Sequence, residues 1–250
     1  MKTLQLEFYK IKRRKIGLTM AAFLAVQFLW GLWAFHDPSE KEKAQGFLSL
    51  LYSLPVLDAV LVPPIMAVLA SRLADIEHKG GMYKQLETLR RPGSLYHAKA
   101  LCGLIIIIVM FAAQYALFIL LGYAVGYQGH PDAAYYLLSY GLKLMSNSSL
   151  FLMQLALSML FANQMIPLVI GLCGSLIGLL LMFVKMYSFL PWGGNLNAAL
   201  VTMEWNPVNR NITYFYREYT PIELAAVGMI FVWFVIFYIA GRTLFTRKEN

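Results

Sequence analysis

Asp58 is the residue whose type and position could most readily do chemistry, because it is a lone carboxylate within the apolar stretch 48–71. A charged side chain is costly in lipid, so it usually faces the interior of a helix bundle or a water-filled path. Asp58 could therefore belong to a polar pathway or a gate. Alternatively, it lies shallow, ten residues into the stretch, and reaches water or a neighbouring helix. Its position favours this second interpretation.

No catalytic or metal-binding constellation is evident elsewhere in the sequence. The signatures H-E-x-x-H and G-x-S-x-G are absent, and no paired carboxylates occur within an apolar stretch. Cys102 and Cys173 lie inside apolar runs and are predicted to pack as small hydrophobic side chains. The histidines are scattered over different segments: His36, His78, His97 and His130. We therefore predict no catalytic residue and no metal site, and a membrane-embedded enzyme or an assembly protein is the weaker alternative.

Several uncharged polar residues also fall within apolar stretches, and they are predicted to join helices. They are Gln114, Asn147, Ser148, Ser149, Gln154 and Ser158. Such residues hydrogen-bond across helices in lipid, which favours packing over a substrate-lining role. Glu223 begins the last apolar stretch, where a carboxylate complements the helix dipole, so it is predicted to cap that helix.

The composition places the chain in the membrane. Of its 250 residues, 59% are hydrophobic and 14% are charged, and its mean hydropathy is +0.59. Soluble domains have about 45–50% apolar and about 25% charged residues. The excess of apolar residues excludes a soluble globular domain and predicts an all-helical integral membrane protein.

Six stretches are long enough to cross a bilayer, which requires about 20 mostly apolar residues. Residues 144–184 carry no charge and are long enough for two crossings, with a turn predicted near Asn163, Gln164 and Pro167. The predicted spans are about 16–35, 48–71, 100–126, 143–162, 166–185 and 222–244. They form a single transmembrane domain over residues 1–250.

The lysines and arginines predict the orientation, because cytoplasmic loops are enriched in them. With the N-terminus in the cytoplasm, fifteen would lie on inner segments and six on outer segments. Both termini are therefore predicted to be cytoplasmic. The net charge of +8 then reports topology, and nucleic-acid binding is not predicted.

The N-terminal segment is predicted to be an amphipathic helix that lies in the membrane interface. Leu4, Phe8 and Ile11 recur at helical spacing. Its basic residues crowd the end of the segment: Lys10, Lys12, Arg13, Arg14 and Lys15. Such a helix places its apolar side in the acyl region and its basic side towards anionic headgroups. A plain basic anchor of the first span is the alternative.

The inner loop 72–99 contains two short amphipathic stretches separated by Gly80-Gly81. The second span is predicted to continue into the cytoplasm and turn at these glycines. A short helix should follow over about 82–90, with Tyr83, Leu86 and Leu89 on one face. A surface helix with one apolar face can dock into the groove of a partner. A solvated connection is the alternative.

This loop resembles the coupling-helix region of type-2 ABC transporter permeases, and in particular the lantibiotic (bacteriocin) self-protection branch. That branch has a glutamate, an aromatic-Lys-x-Leu group, a proline and a lysine that opens the third span. The residues in these places are Glu77, Tyr83, Lys84, Leu86, Pro92 and Lys99. The aromatic residue is often tryptophan in the branch, whereas it is tyrosine here.

The resemblance implies the permease subunit of an ABC exporter in a bacterial plasma membrane. It implies a second permease, identical or paralogous, and ATPase subunits contacted by Glu77, Tyr83, Lys84, Leu86 and Leu89. The outer segment 186–220 would contain short helices that dip back into the membrane. The implied cargo is an amphiphilic, lantibiotic-like peptide. The alternative is another hydrophobic cargo, such as a cytotoxic peptide, a drug or a lipid. ATP and Mg²⁺ would bind the partner, because this sequence has no G-x-x-x-x-G-K-[ST] loop and no cofactor is predicted on it.

Overall fold

The computed structural model describes residues 7–10, 15–80, 92–181, 183, 189–207 and 211–249. Residues 7–10 are helical. Along the rest of this described part, the α-helices in chain order are α1 (Ile16–Ala34), α2 (Glu40–Ala44), α3 (Gly46–Gly80), α4 (Pro92–Val125), α5 (Ala133–Leu160), α6 (Met165–Leu181), α7 (Gly194–Asn197) and α8 (Pro221–Glu249).

A helix overlaps each predicted span, and four of the described helices are long and apolar enough to cross a membrane. These four are α1, α3, α4 and α8. The helix α6 is apolar but shorter, with Met165–Leu180 as its apolar length. The helix α5 is long, but it carries many polar side chains. The protein is therefore a mostly helical, multi-pass membrane protein.

Local sequence explains how several of these helices begin and continue. Asp132 caps α5, because its Oδ1 accepts hydrogen bonds from the backbone N–H groups of Ala134 and Tyr135. Thr220 and Glu223 form a reciprocal capping box before α8, which confirms the predicted capping role of Glu223. Three prolines lie inside α3: Pro55, Pro63 and Pro64. Membrane helices tolerate them where neighbouring helices satisfy the freed backbone groups.

The helix α5 begins ten residues before the predicted start of the fourth span. The sequence prediction places that boundary at Lys143 because a charge usually ends a span. In the structure Lys143 lies inside the helix and is 1% exposed. The break between α5 and α6 does fall where the turn is predicted, with Asn163 Oδ1 accepting from the Met165 N–H.

The core is formed where α5 packs against α3, α4 and α8. Phe151 of α5 is fully buried and lies against Gly103 of α4, where any Cβ would collide with the ring. A second apolar cluster joins the first turns of α3 to α4, and it includes Phe47, Leu50 and Phe118. The helix α5 is thus the central element of the bundle.

The segment between α6 and α8 contains a β-hairpin, which the all-helical prediction does not include. A 3-10 turn (Pro191–Gly193) and α7 come first and are largely buried. Strands β1 (Val201–Asn206) and β2 (Asn211–Tyr216) then pair antiparallel, from Val201 opposite Tyr216 to Asn206 opposite Asn211. The hairpin contacts the start of α3, where Gln45 Oε1 accepts from the Tyr214 N–H at 3.1 Å.

Candidate functional site

Six buried polar side chains meet inside the helix bundle and form what we term the polar cluster. They are Gln27, Asp58, Gln114, Lys143, Asn147 and Asn195, and each is at most 1% exposed. They come from α1, α3, α4, α5 and α7. Burying polar groups is costly unless they satisfy one another, so the contacts among these six determine whether the cluster is tolerated.

The central ion pair of the cluster joins α3 to α5. The Lys143 ammonium contacts Asp58 Oδ2. The Lys143 Nζ also lies 4.9 Å from the ring centroid of Phe111 and 4.8 Å from that of Tyr115, where the ring faces attract a cation. Asp58 therefore reaches a neighbouring helix. The interpretation favoured from the sequence allows this contact as an alternative to water.

Two glutamine amides complete the shell of the central ion pair. Asp58 Oδ1 accepts from Gln27 Nε2 at 2.8 Å and from Gln114 Nε2 at 2.8 Å. Gln114 Nε2 also donates to Gln27 Oε1 at 2.9 Å, and Gln114 Oε1 accepts from Lys143 Nζ. These bonds join four long helices, which confirms that Gln114 joins helices as predicted.

A pair of asparagines extends the cluster to the short helix α7. Asn147 Nδ2 donates to Asn195 Oδ1 at 2.8 Å, and Asn195 Nδ2 donates back to Asn147 Oδ1 at 3.0 Å. Asn195 Nδ2 also donates to the Asp58 carbonyl oxygen at 3.4 Å. Gly194 allows this close approach, since a Cβ there would collide with Ser146 Oγ. These bonds attach α7 to α5 through Asn147 and to α3 through the backbone of Asp58.

The chemistry of the cluster suits a structural role. Its one carboxylate and one ammonium neutralise each other, which offsets part of the cost of removing both from water. Among the described residues, no group of three His, Cys, Asp or Glu side chains could hold a metal ion.

The sequence carries a signal for this cluster in the spacing of polar residues on α5. The buried polar residues Ser139, Lys143, Asn147, Gln154 and Ser158 recur there at intervals of four or seven residues. That spacing marks one face of a helix. The predicted helix-joining residues include the last three, whereas Lys143 is predicted to be a span boundary and lies instead at the centre of the cluster.

A second buried ion pair, the N-terminal ion pair, joins residues 7–10 to the bundle. Lys99 Nζ donates to Glu7 Oε2 at 3.0 Å and to the Leu73 carbonyl oxygen at 2.7 Å. Lys10 Nζ also donates to Glu7, at 2.9 Å to its Oε1. Glu7 and Lys99 are almost fully buried. Glu7 is not among the predicted site residues, and Lys99 is predicted only as the lysine that opens the third span.

Two of the five predicted interface residues lie within the described part of the chain. The Lys10 ammonium forms an ion pair with Glu7, the carboxylate of the N-terminal ion pair. Lys15 is exposed and directly precedes α1. The remaining three, Lys12, Arg13 and Arg14, lie outside the described residues.

The predicted coupling residues lie at or beyond the end of α3. Glu77 belongs to α3, which continues to Gly80 as predicted. The side chain of Glu77 lies outside the described residues. So do Tyr83, Lys84, Leu86 and Leu89, and their docking role stays a prediction.

Comparison with known proteins supports the type-2 ABC permease resemblance at the level of the family. Residues 3–178, more than half of the chain, match the family model described as ABC-2 family transporter protein. No curated protein and no solved structure gave a match. Members of this family are transport components of the membrane rather than catalytic subunits. The chain therefore belongs to the ABC-2 family of transporter proteins and is a permease component of an ABC transporter.

Proposed function

We propose that this permease exports an amphiphilic, lantibiotic-like peptide from a bacterial plasma membrane. The observation that carries the transport role is the family match over residues 3–178. The peptide cargo rests on the resemblance of the inner loop to the self-protection branch. Another hydrophobic cargo, such as a drug, a cytotoxic peptide or a lipid, is the alternative.

The proposed topology has six spans, with α5 and α6 crossing alongside the four long apolar helices and with both termini in the cytoplasm. The continuation of α3 to Gly80 supports this arrangement, because the helix runs nine residues beyond residue 71, the predicted end of the second span. The helix thus extends past the membrane core towards the inner loop.

ATP and Mg²⁺ bind separate ATPase subunits in this proposal. The sequence has no loop of the phosphate-cradling type. The coupling residues would transmit ATPase closure to the spans, and a second permease, identical or paralogous, would complete the transporter.

The docking step is tested by mild-detergent affinity purification from native membranes, followed by mass spectrometry. Leu86→Asp places a charge on the predicted apolar face, so the variant should lose a co-purifying ATPase. Thr88→Asp is the matched control, because position 88 lies on the opposite side of the same predicted helix. If Leu86→Asp retains the ATPase as well as the wild type does, with normal membrane insertion, the coupling-helix proposal fails.

The cargo is tested by survival of cells exposed to lantibiotics, to unrelated hydrophobic drugs or to neither. Cells carrying the intact transporter should tolerate lantibiotics at higher concentration than cells that lack it. A transporter whose partner cannot hydrolyse ATP is the control. Protection against drugs but not lantibiotics would favour the alternative cargo.

Asp58 is proposed to act as a gate through the central ion pair. Asp58 and Lys143 are joined through Asn147 and Asn195 to α7, on the predicted outer side. An exit path that opens there must separate these contacts. Replacing both charges, with Asp58→Asn and Lys143→Met, should preserve ATPase association and insertion but uncouple ATP hydrolysis from protection.

A further inference from the structure

A cavity of about 370 Å³ lies between α1 and α4, next to residues 7–10. Its lining is apolar and includes Phe8, Ile16, Met20, Val109 and Met110. This groove is separate from the polar cluster, because none of the six cluster residues lines it.

Small side chains on both helices create the groove. Gly17 lines it, and a Cβ added there would have no heavy atom within 4 Å. Ala21 of α1 and Ala113 of α4 line it as well. Since α1 and α4 are both membrane-spanning, the open side of the groove meets hydrocarbon, and its occupant must be apolar.

The wall formed by Phe8 is held in place before any ligand arrives. Phe8 follows Glu7, which is bonded to Lys99 and Lys10. Lys99 also donates to the carbonyl oxygen of Leu73 in α3. The N-terminal ion pair therefore fixes this wall against two long helices.

An exposed lysine lies at one end of the groove. Lys15 directly precedes Ile16 and Gly17 of the lining. Basic residues at a membrane surface attract anionic lipid headgroups.

From this combination we infer that the groove binds one acyl chain of an anionic phospholipid, whose headgroup lies against Lys15. The inference does not depend on the proposed cargo.

The test uses the full chain, with any subunits that co-purify, reconstituted into nanodiscs of equal phosphatidylglycerol and phosphatidylcholine. Native mass spectrometry then counts the retained lipid. The wild type should retain one phosphatidylglycerol, and Gly17→Phe should lower this occupancy about tenfold. Ala22→Phe is the control, since Ala22 is exposed on α1 but does not line the groove.

Ala113→Phe fills the groove from α4 and serves as a second variant if Gly17→Phe fails to fold. Lys15→Gln should keep a bound lipid but lose the preference for phosphatidylglycerol. The inference is overturned if the wild type retains no lipid or if both groove-filling variants retain it fully. It is also overturned if Gly17→Cys forms a disulfide between two copies, because a second copy would then occupy the groove.

Discussion

The central ion pair and the N-terminal ion pair of this permease are both buried, but they differ in what they connect. The central ion pair, Asp58 and Lys143, lies among side chains from α1, α3, α4 and α5. The N-terminal ion pair, Glu7 and Lys99, joins a short helical segment to α4 and to a backbone carbonyl of α3. Both pairs are shielded from solvent, so burial alone does not distinguish them.

The two pairs also differ in the number of cationic partners that the carboxylate has. Glu7 has a second cationic partner in Lys10. Within the described part of the chain, Asp58 forms its ion pair with Lys143 alone. The loss of a lone partner leaves an uncompensated charge, which costs far more than the net contribution of the pair. The central ion pair should therefore dominate the stability of the bundle.

Lys143→Met should have the largest effect, because it leaves the Asp58 carboxylate buried without its cation. We expect a loss of about 3–5 kcal/mol in the free energy of unfolding. The melting temperature in detergent should fall by about 10 °C. The double variant with Asp58→Asn removes both charges and should recover most of the loss. Equal destabilisation of the single and double variants would show that packing by Lys143, rather than charge, matters.

Lys99→Met should have a smaller effect on unfolding, about 1–3 kcal/mol, because Lys10 remains bonded to Glu7. Its main result should be release of residues 7–10 from the bundle. Trypsin cleavage after Lys10 should become faster, while cleavage elsewhere in the protein changes little. Leu18→Met, on the exposed side of α1, is the control. If Lys99→Met lowers the melting temperature as far as Lys143→Met, the contrast between the two pairs is wrong.

Hydropathy is sufficient to predict the long helices but not the ion pairs. The apolar stretches of α1, α3, α4 and α8 are recognisable locally, because their composition alone demands lipid or a core. The partner of Lys143 lies 85 positions away in the chain, so no local window could show that its charge is neutralised. The same kind of separation hides the pairing of Lys99 with Glu7, 92 positions apart.

The hairpin escapes prediction for a different reason. Its strands contain residues typical of β-structure, such as Val201, Thr202, Ile212 and Tyr214. The family resemblance implies short helices in the outer segment, and the prediction includes no strands there. The segment α7 is a short helix, but its attachment through Asn195 depends on the Asp58 carbonyl of α3 and the Asn147 side chain of α5.

Asn195→Ala should weaken that attachment by about 1–3 kcal/mol, because Asn147 loses its amide partner inside the bundle. The central ion pair should remain intact. We would measure labelling of a cysteine placed at Leu196 by a charged, membrane-impermeant thiol reagent. Labelling should increase in Asn195→Ala but not in Asn206→Ala, an exposed hairpin residue. Unchanged labelling would mean that the polar cluster does not hold α7.

Glu42 gives the smallest expected effect, because it is a hydrogen-bonded charge at the surface. Its Oε2 accepts from the Ser39 N–H and hydroxyl, each at 2.7 Å. These bonds hold the pKa of Glu42 below its ordinary value, the Ser39 side chain contributing most.

Because the folded pKa is depressed, the stabilisation by Glu42 is present above the unfolded pKa and is lost as the pH falls through the folded pKa. Glu42→Gln should lower hydrogen-exchange protection of α2 at neutral pH by less than about 1 kcal/mol. The difference from wild type should shrink as the pH falls below the ordinary range of a glutamate, and Lys41→Gln should show no such change. Water solvates this carboxylate whenever its bonds to Ser39 open, whereas the Asp58 carboxylate has no such alternative. A Glu42 effect as large as that of Lys143→Met would therefore show that burial does not set the scale of these charge interactions.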